Sequence, residues 1–230
     1  MHIPEGYLSP STCIVATTVM LPIWYKAITH LKKELPDSNI PFLSMGAVFS
    51  FIIMMFNIPV PDGTTAHATG AVLVALVLGP WAAVISISIA LFIQAFLFGD
   101  GGVLAFGANA FNIAFLMPFL GYYTYKLICK NAAIGSLRQM SAAFFASFIG
   151  LNVAALSTAI MFGIQPLLFM TAHNIPMYCP YGLSVAIPAM MFAHILVAGP
   201  IEGIITAFSL KYILSSSPKL ILKKEKINNA

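Results

Sequence analysis

Met1 and His2 place three nitrogen donors within two residues: a terminal amine, the His2 amide and the His2 imidazole. Methionine removal favours a small second residue, so the bulky His2 is expected to keep Met1 in place. On one metal ion the amine and amide close a five-membered ring, and the amide and imidazole close a six-membered one. Three corners of a square are then filled, a geometry that suits Ni(II) or Cu(II). His67 is the candidate for the fourth corner. An all-nitrogen, four-coordinate set of this kind favours nickel or copper over zinc or cobalt. If the ion displaces the amide proton, the bound site carries one positive charge instead of two, which eases its burial near hydrocarbon. Two plainer roles stand beside this one: a hydrogen-bonded interface residue for His67, and a loose chain end for His2.

An imidazole that binds a metal needs an acceptor on its other ring nitrogen. Asp62, Thr64, Thr65, Asp100, Asn109 and Asn112 lie in or near the segments on the same side and are the candidates, unranked. Asp62 and Thr64 read equally as turn and helix-cap residues. Glu5 reads as an exposed acid or a weak ligand, and His173 as an exposed loop residue or a transient entry ligand. His194 and Glu202 fall inside the last apolar stretch, where an ionisable group marks either function or a bond to a neighbouring helix. Glu202 is expected toward the cytoplasmic end, within reach of a partner subunit. Cys13, Cys129 and Cys179 show no metal-ligand spacing and read as packing residues.

The elements that must position these residues are membrane helices. The 230 residues are 60% hydrophobic and 8% charged, against about a quarter charged in a soluble domain. A bilayer span takes about 20 mainly apolar residues, which predicts helices near 11–31, 41–57, 64–78, 80–98, 103–127, 137–163 and 186–214. The stretches 64–78 and 80–98, divided at Gly79-Pro80, also read as one broken span, which would leave six. The expected fold is all-α and polytopic, with His67 in the first turn of the third helix. Residues 1–214 form one transmembrane metal-binding domain, and 215–230 a polar, lysine-rich cytoplasmic tail near anionic lipid.

Charge decides between seven spans and six. Seven spans with the amino end outside put Lys26, Lys32, Lys33, Lys126, Lys130, Arg138, Lys211, Lys219, Lys223, Lys224 and Lys226 on the cytoplasmic side. These are all of the basic residues, and the opposite loops 58–63, 99–102 and 164–185 hold none, as the positive-inside bias requires. The net charge of +4 therefore reports topology and not a nucleic-acid partner. Met1 to Thr12 contains no Lys or Arg, so a cleavable signal is not expected. Both His2 and His67 then face the outside at one depth. Gly46-x-x-x-Ser50, Ala142-x-x-x-Ala146 and Gly199-x-x-x-Gly203 allow close helix approach, and Ser44-Met45-Gly46-Ala47 is the candidate partner surface. No Gly-Lys-Ser/Thr phosphate loop, His-Glu-x-x-His or Gly-x-Ser-x-Gly occurs, so ATP hydrolysis and intramembrane hydrolase chemistry find no motif in this chain.

The run Met1-His2-Ile3-Pro4-Glu5-Gly6-Tyr7-Leu8 and the run Met54-Met55-Phe56-Asn57-Ile58-Pro59-Val60-Pro61-Asp62-Gly63-Thr64-Thr65-Ala66-His67 resemble the CbiM/NikM family. So do Phe98-Gly99-Asp100-Gly101-Gly102, Gly107-Ala108-Asn109 and Ile187-Pro188-Ala189-Met190-Met191. The resemblance spans 1–214 and is strongest in the opening motif and the Gly-Thr-Thr-Ala-His run. It implies the substrate-binding (S) component of a nickel or cobalt energy-coupling-factor transporter in a prokaryotic cell membrane. The implied ligands are the Met1 amine, the His2 amide and imidazole, and His67, with no enzymatic activity in the chain itself. The implied partners are a transmembrane T component, cytoplasmic ATPase subunits and a small N-type membrane subunit. Square four-nitrogen geometry puts Ni2+ first and Co2+ second. Cobalt uptake for cobalamin synthesis and a non-transporting metal sensor or scaffold are the alternatives.

Overall fold

The chain's apolar runs become helices because hydrocarbon leaves a backbone no hydrogen-bonding partner but itself. A computed structural model describes residues 1–34, 40–60 and 64–216. Helix α1 (Pro10–Glu34) starts where Ser9 caps it, its Oγ accepting the Thr12 N–H at 3.2 Å. Helix α2 (Ile40–Met54) returns and leads into a two-stranded antiparallel hairpin, β1 (Ile58–Val60) and β2 (Thr64–Ala66). Residues 67–70 form an irregular segment that leads into α3 (Ala71–Leu78), with Gly70 in the left-handed region. Gly79-Pro80 breaks the chain and opens α4 (Pro80–Ile93), which ends in a π-helical turn, Gln94–Phe98.

The remaining spans are composite. α5 (Phe106–Asn109) passes through a π-helical stretch, Ala110–Leu116, into α6 (Met117–Cys129). α7 (Leu137–Gly163) is the longest helix, and a short α8 (Gln165–Leu168) follows it. α9 (Leu183–Ala193) continues through a π-helical turn, His194–Ala198, into α10 (Gly199–Ser216). Among the described residues, four stretches are long and apolar enough to cross a bilayer: Pro10–Lys33, Pro80–Phe98, Leu137–Leu168 and Leu183–Ser216. With α2, α3 and the α5–α6 run, the described chain has seven helical rods, the number expected. Ile14, Leu21, Leu97, Phe192 and Phe208 stand exposed on the outer faces, as side chains do when the surroundings are lipid.

Two expectations need correction. The fold is not purely helical, because Ile58–Val60, after the carboxyl end of α2, pairs with Thr64–Ala66 as a hairpin. The third helix does not begin at 64. It has eight residues, Ala71–Leu78, about 12 Å of rise, which is too short to cross about 30 Å of hydrocarbon. His67 lies in the irregular segment before it. Such a segment strands backbone N–H groups, and Glu202 from α10 meets them: its carboxylate accepts Thr69 N at 2.6 Å and Gly70 N at 3.0 Å. Glu202 is fully buried, so it is a tie between elements and not a contact for a partner at the cytoplasmic end.

α7 packs against α6, α9 and α10 through small residues, with Ala142, Ala143, Ala146 and Gly150 all buried. A Cβ on Gly203 would lie 2.5 Å from the Phe144 ring, so this small-residue pair serves packing within the fold. Gly46 is used in the same way, 3.1 Å from Val74 Cγ1 by the same measure. Of the Ser44–Ala47 surface, Gly46 and Ala47 face inward and Met45 faces out. The tail expected at 215–230 is helical as far as Ser216, and from 217 it lies outside the described residues.

Candidate metal centre

The nine residues before α1 are docked into the molecule and not frayed. Met1 and Ile3 are fully buried, and His2 is 3% exposed. Ile3 is held on both sides of its peptide by one side chain: its N–H donates to Asn109 Oδ1 at 2.8 Å, and its carbonyl accepts Asn109 Nδ2 at 3.2 Å. The Gly102 N–H donates to the same carbonyl at 2.8 Å. Farther along, Ser9 N donates to Gln165 Oε1 at 2.9 Å, and Cys179 N donates to the Tyr7 carbonyl at 3.1 Å. The loop between α8 and α9 thus closes over the segment. Glu5 accepts the Leu104 N–H at 3.2 Å and ties down the exposed side.

The glycines of the 99–102 loop make the cradle. Gly101 holds φ at +96°, a left-handed conformation, and a Cβ there would reach 3.2 Å from Asn109 Nδ2. A Cβ on Gly102 would press to 2.9 Å from Glu5 N and 3.0 Å from Glu5 Cα. Backbone therefore lies on backbone, and only glycine allows it.

The two histidines meet at this cradle. Their ring centroids are 4.6 Å apart, with planes inclined at 41°. His67 is 1% exposed, and its Nδ1 faces the Ala68 carbonyl at 3.0 Å. A carbonyl only accepts, so Nδ1 carries the proton and Nε2 carries the lone pair. That Nε2 is buried, with no hydrogen-bond partner among the described residues. An orphaned, fixed lone pair is what a metal ligand looks like before its ion. The Met1 amine lies 3.5 Å from Thr65 Oγ1. Burial drives its pKa from 8.0 down to about 4, against the pull of Asp100, so at neutral pH it too offers a lone pair.

His2 Nδ1 lies 3.0 Å from Asp100 Oδ1. Burial lowers the His2 pKa, and the Asp100 carboxylate partly restores it. Burial also raises Asp100, but its bonds to His2 and Asn57 carry it below the ordinary carboxylate value. Asp100 therefore stays ionised beside the rings.

Of the expected supporting residues, Thr65 and Asp100 touch donors, while Asn109 holds the chain next to them. Asn112 is buried but contacts no ligand, its amide reaching Met161 Sδ at 3.5 Å. Asp62 lies outside the described residues, and of Thr64 only the backbone on β2 is described. His173 is exposed in the closing loop, and the three cysteines are buried. Sequence reasoning missed the acceptor on His67, because a main-chain carbonyl has no signature. For His194, read as either functional or bonded to a neighbouring helix, the structure gives neither outcome directly: its Nδ1 donates to the carbonyl of Met190 in its own helix at 2.7 Å.

Among the described residues, no three His, Cys, Asp or Glu side chains converge as a metal cage. The family model for the CbiM cobalt-uptake substrate-specific transmembrane region matches residues 2–220. The chain belongs to the CbiM family. It is 50% identical over 221 residues to the fused nickel transport protein NikMN of Rhodobacter capsulatus, covering 96% of this chain and 64% of that protein. It is 44% identical to a putative metal transport protein of Methanocaldococcus jannaschii, covering 98% and 96% of the two chains. A crystal structure of a truncated transition metal transporter matches with a TM-score of 0.90 at 53% identity, over 94% of this chain and 99% of that one. The chain thus spans about two-thirds of the fused relative's length. CbiM-family membership and the seven apolar rods make this a multi-pass membrane protein.

Proposed function

We propose that this protein captures Ni(II), with Co(II) second, at its outward-facing amino end and delivers it inward as the S component of an energy-coupling-factor transporter. The observation that carries the reading is His67 Nε2, buried and unpartnered beside the His2 ring and the uncharged Met1 amine. The amine, the His2 amide, His2 Nδ1 and His67 Nε2 are the four nitrogens of a square, the geometry suited to low-spin Ni(II). His2 Nδ1 is the atom that closes the six-membered ring, so loading exchanges its Asp100 contact for the ion. The charge map supports an amino end outside and a cytoplasmic carboxyl end.

The relatives support the choice of ion and leave cobalt as the second reading. The proteins most similar over nearly the whole chain include two named as nickel transporters, from Rhodobacter capsulatus and Lactiplantibacillus plantarum, at 50% and 45% identity. A cobalt transport protein CbiM of Clostridium cellulovorans shares 35% over 72% of this chain. The partners in this reading are a transmembrane T component, cytoplasmic ATPases and a small N-type subunit.

Binding by the unaltered chain is compared with binding by a chain carrying one residue added before Met1. The extension moves the amine and is expected to abolish tight nickel binding together with the yellow, diamagnetic spectrum of a square-planar complex. Unchanged affinity would sink the chelate. Cells are then assayed for radioactive nickel accumulation with and without the ATPase partners. Tight binding with no partner-dependent accumulation would instead make the protein a sensor or scaffold.

A further inference from the structure

His194 is a buried imidazole that the four-nitrogen square does not use. It is fully buried at the first position of the π-helical turn between α9 and α10, and such turns recur at functional sites. Its Nδ1 donates to the Met190 carbonyl at 2.7 Å, which leaves the lone pair on Nε2. Nε2 is buried and meets no hydrogen-bond donor among the described residues. A histidine kept only to join helices would bond a neighbour, yet among the described residues this one bonds only its own helix. Leucine would fill the same space without an orphaned polar atom.

Its position gives it a partner. The π-helical turn packs against β2, the strand that leads directly into His67. His194 opens the turn that makes this contact, and β2 ends at Ala66, one residue before His67. Two orphaned, buried imidazole nitrogens, one on His67 and one on His194, thus sit on adjoining elements. A square-planar ion is saturated in its plane and open at its two faces. Ligand exchange at such an ion proceeds by entry of a fifth donor at a face, before an in-plane bond breaks. A chelate of four nitrogens therefore releases its ion slowly unless a donor stands ready at that face.

We propose that His194 is that entering ligand, a positioning donor for metal exchange and not a fifth permanent ligand. This rests on the chelate reading of Met1, His2 and His67. In the step, the Nε2 electron pair forms a bond at the open face and an in-plane nitrogen bond breaks. As the chelate opens, the His2 amide nitrogen takes back a proton from water. No change of oxidation state occurs, and the same route run backwards loads the site.

The test uses the full chain in lipid nanodiscs, loaded with one equivalent of Ni(II). Dissociation is followed after mixing with excess EDTA, and association is followed by absorbance. In His194→Leu, both rates are expected to slow by about tenfold or more, with their ratio shifting by less than about threefold and the square-planar spectrum intact. In His194→Ala, added imidazole should restore the fast rate by occupying the vacated space. Unchanged rates in His194→Leu overturn the inference and leave the chelate standing. Loss of affinity matching that of His67→Ala also overturns it, by making His194 a permanent ligand or a fold element. If the unaltered chain binds no nickel, the chelate itself fails.

Discussion

The Glu202 carboxylate accepts Gly70 N at 3.0 and 3.1 Å, one contact to each oxygen, and ties α10 to the segment that carries His67. Gly70 holds φ at +69°, and its backbone opens the eight-residue α3. A carboxylate at a helix amino end meets both the free N–H groups and the positive end of the helix dipole. Glu202→Gln keeps an acceptor but loses the charge, so the segment is expected to loosen. Leaving buried N–H groups poorly met costs about 1–3 kcal/mol. Nickel affinity should fall by about tenfold or more, read by calorimetry, while the helical circular dichroism is retained. Affinity equal to that of the unaltered chain would show that His67 is positioned without Glu202.

Gly102→Ala tests the cradle. The new Cβ would meet Glu5 N at 2.9 Å and Glu5 Cα at 3.0 Å, and these are backbone atoms that cannot rotate away. The first residues must shift, and a displaced amine no longer completes the square. Metal affinity should drop by about tenfold or more with little change in thermal stability, because the loop lies outside the helical core. A parallel fall in melting temperature would make Gly102 a fold residue instead.

Much of this was legible in the sequence, for physical reasons that differ by residue. Hydropathy reports lipid contact, so it located the rods well, and the nitrogen count at Met1 and His2 required no fold at all. It failed at 64–70 because Thr64-Thr65-Ala66-His67-Ala68-Thr69 is apolar enough for helix or strand, and the deciding group, Glu202, lies 133 residues from Thr69. Asp100 stood unranked among six candidates because its contact with His2 depends on how the 99–102 loop folds. The π-helical turn at His194 and the Ala68 carbonyl carry no side-chain signal. What sequence hid was backbone geometry, and what it displayed was chemistry.

Asn109→Ala removes both hydrogen bonds to the Ile3 peptide, which its amide makes at 2.8 and 3.2 Å. A buried N–H and carbonyl are then stranded, and undocking becomes their escape. The Met1 amine, fully buried in the docked segment, should become exposed and react faster with an amine-acylating reagent by about tenfold or more. A rate no faster than in the unaltered chain would assign the docking to the closing loop and not to Asn109.

Proton release on nickel binding tests the donor set directly. Burial lowers the Met1 amine from 8.0 to about 4, so between these values the docked amine is neutral and the undocked amine takes up a proton. Docking therefore binds fewer protons than undocking and weakens as pH falls from 8.0 toward 4. Asp100, held below its ordinary value by His2 and Asn57, pushes the same way in acid, since its contacts are lost on protonation. At pH 7 the amine has no proton to give, so nickel should release about one proton, that of the His2 amide. Calorimetry in buffers of different ionisation enthalpy counts it. Asn109→Ala, with its amine undocked and charged, should release nearly two. A count of zero in the unaltered chain would remove the amide from the ligand set, and a count of two would mean that the docked amine is charged.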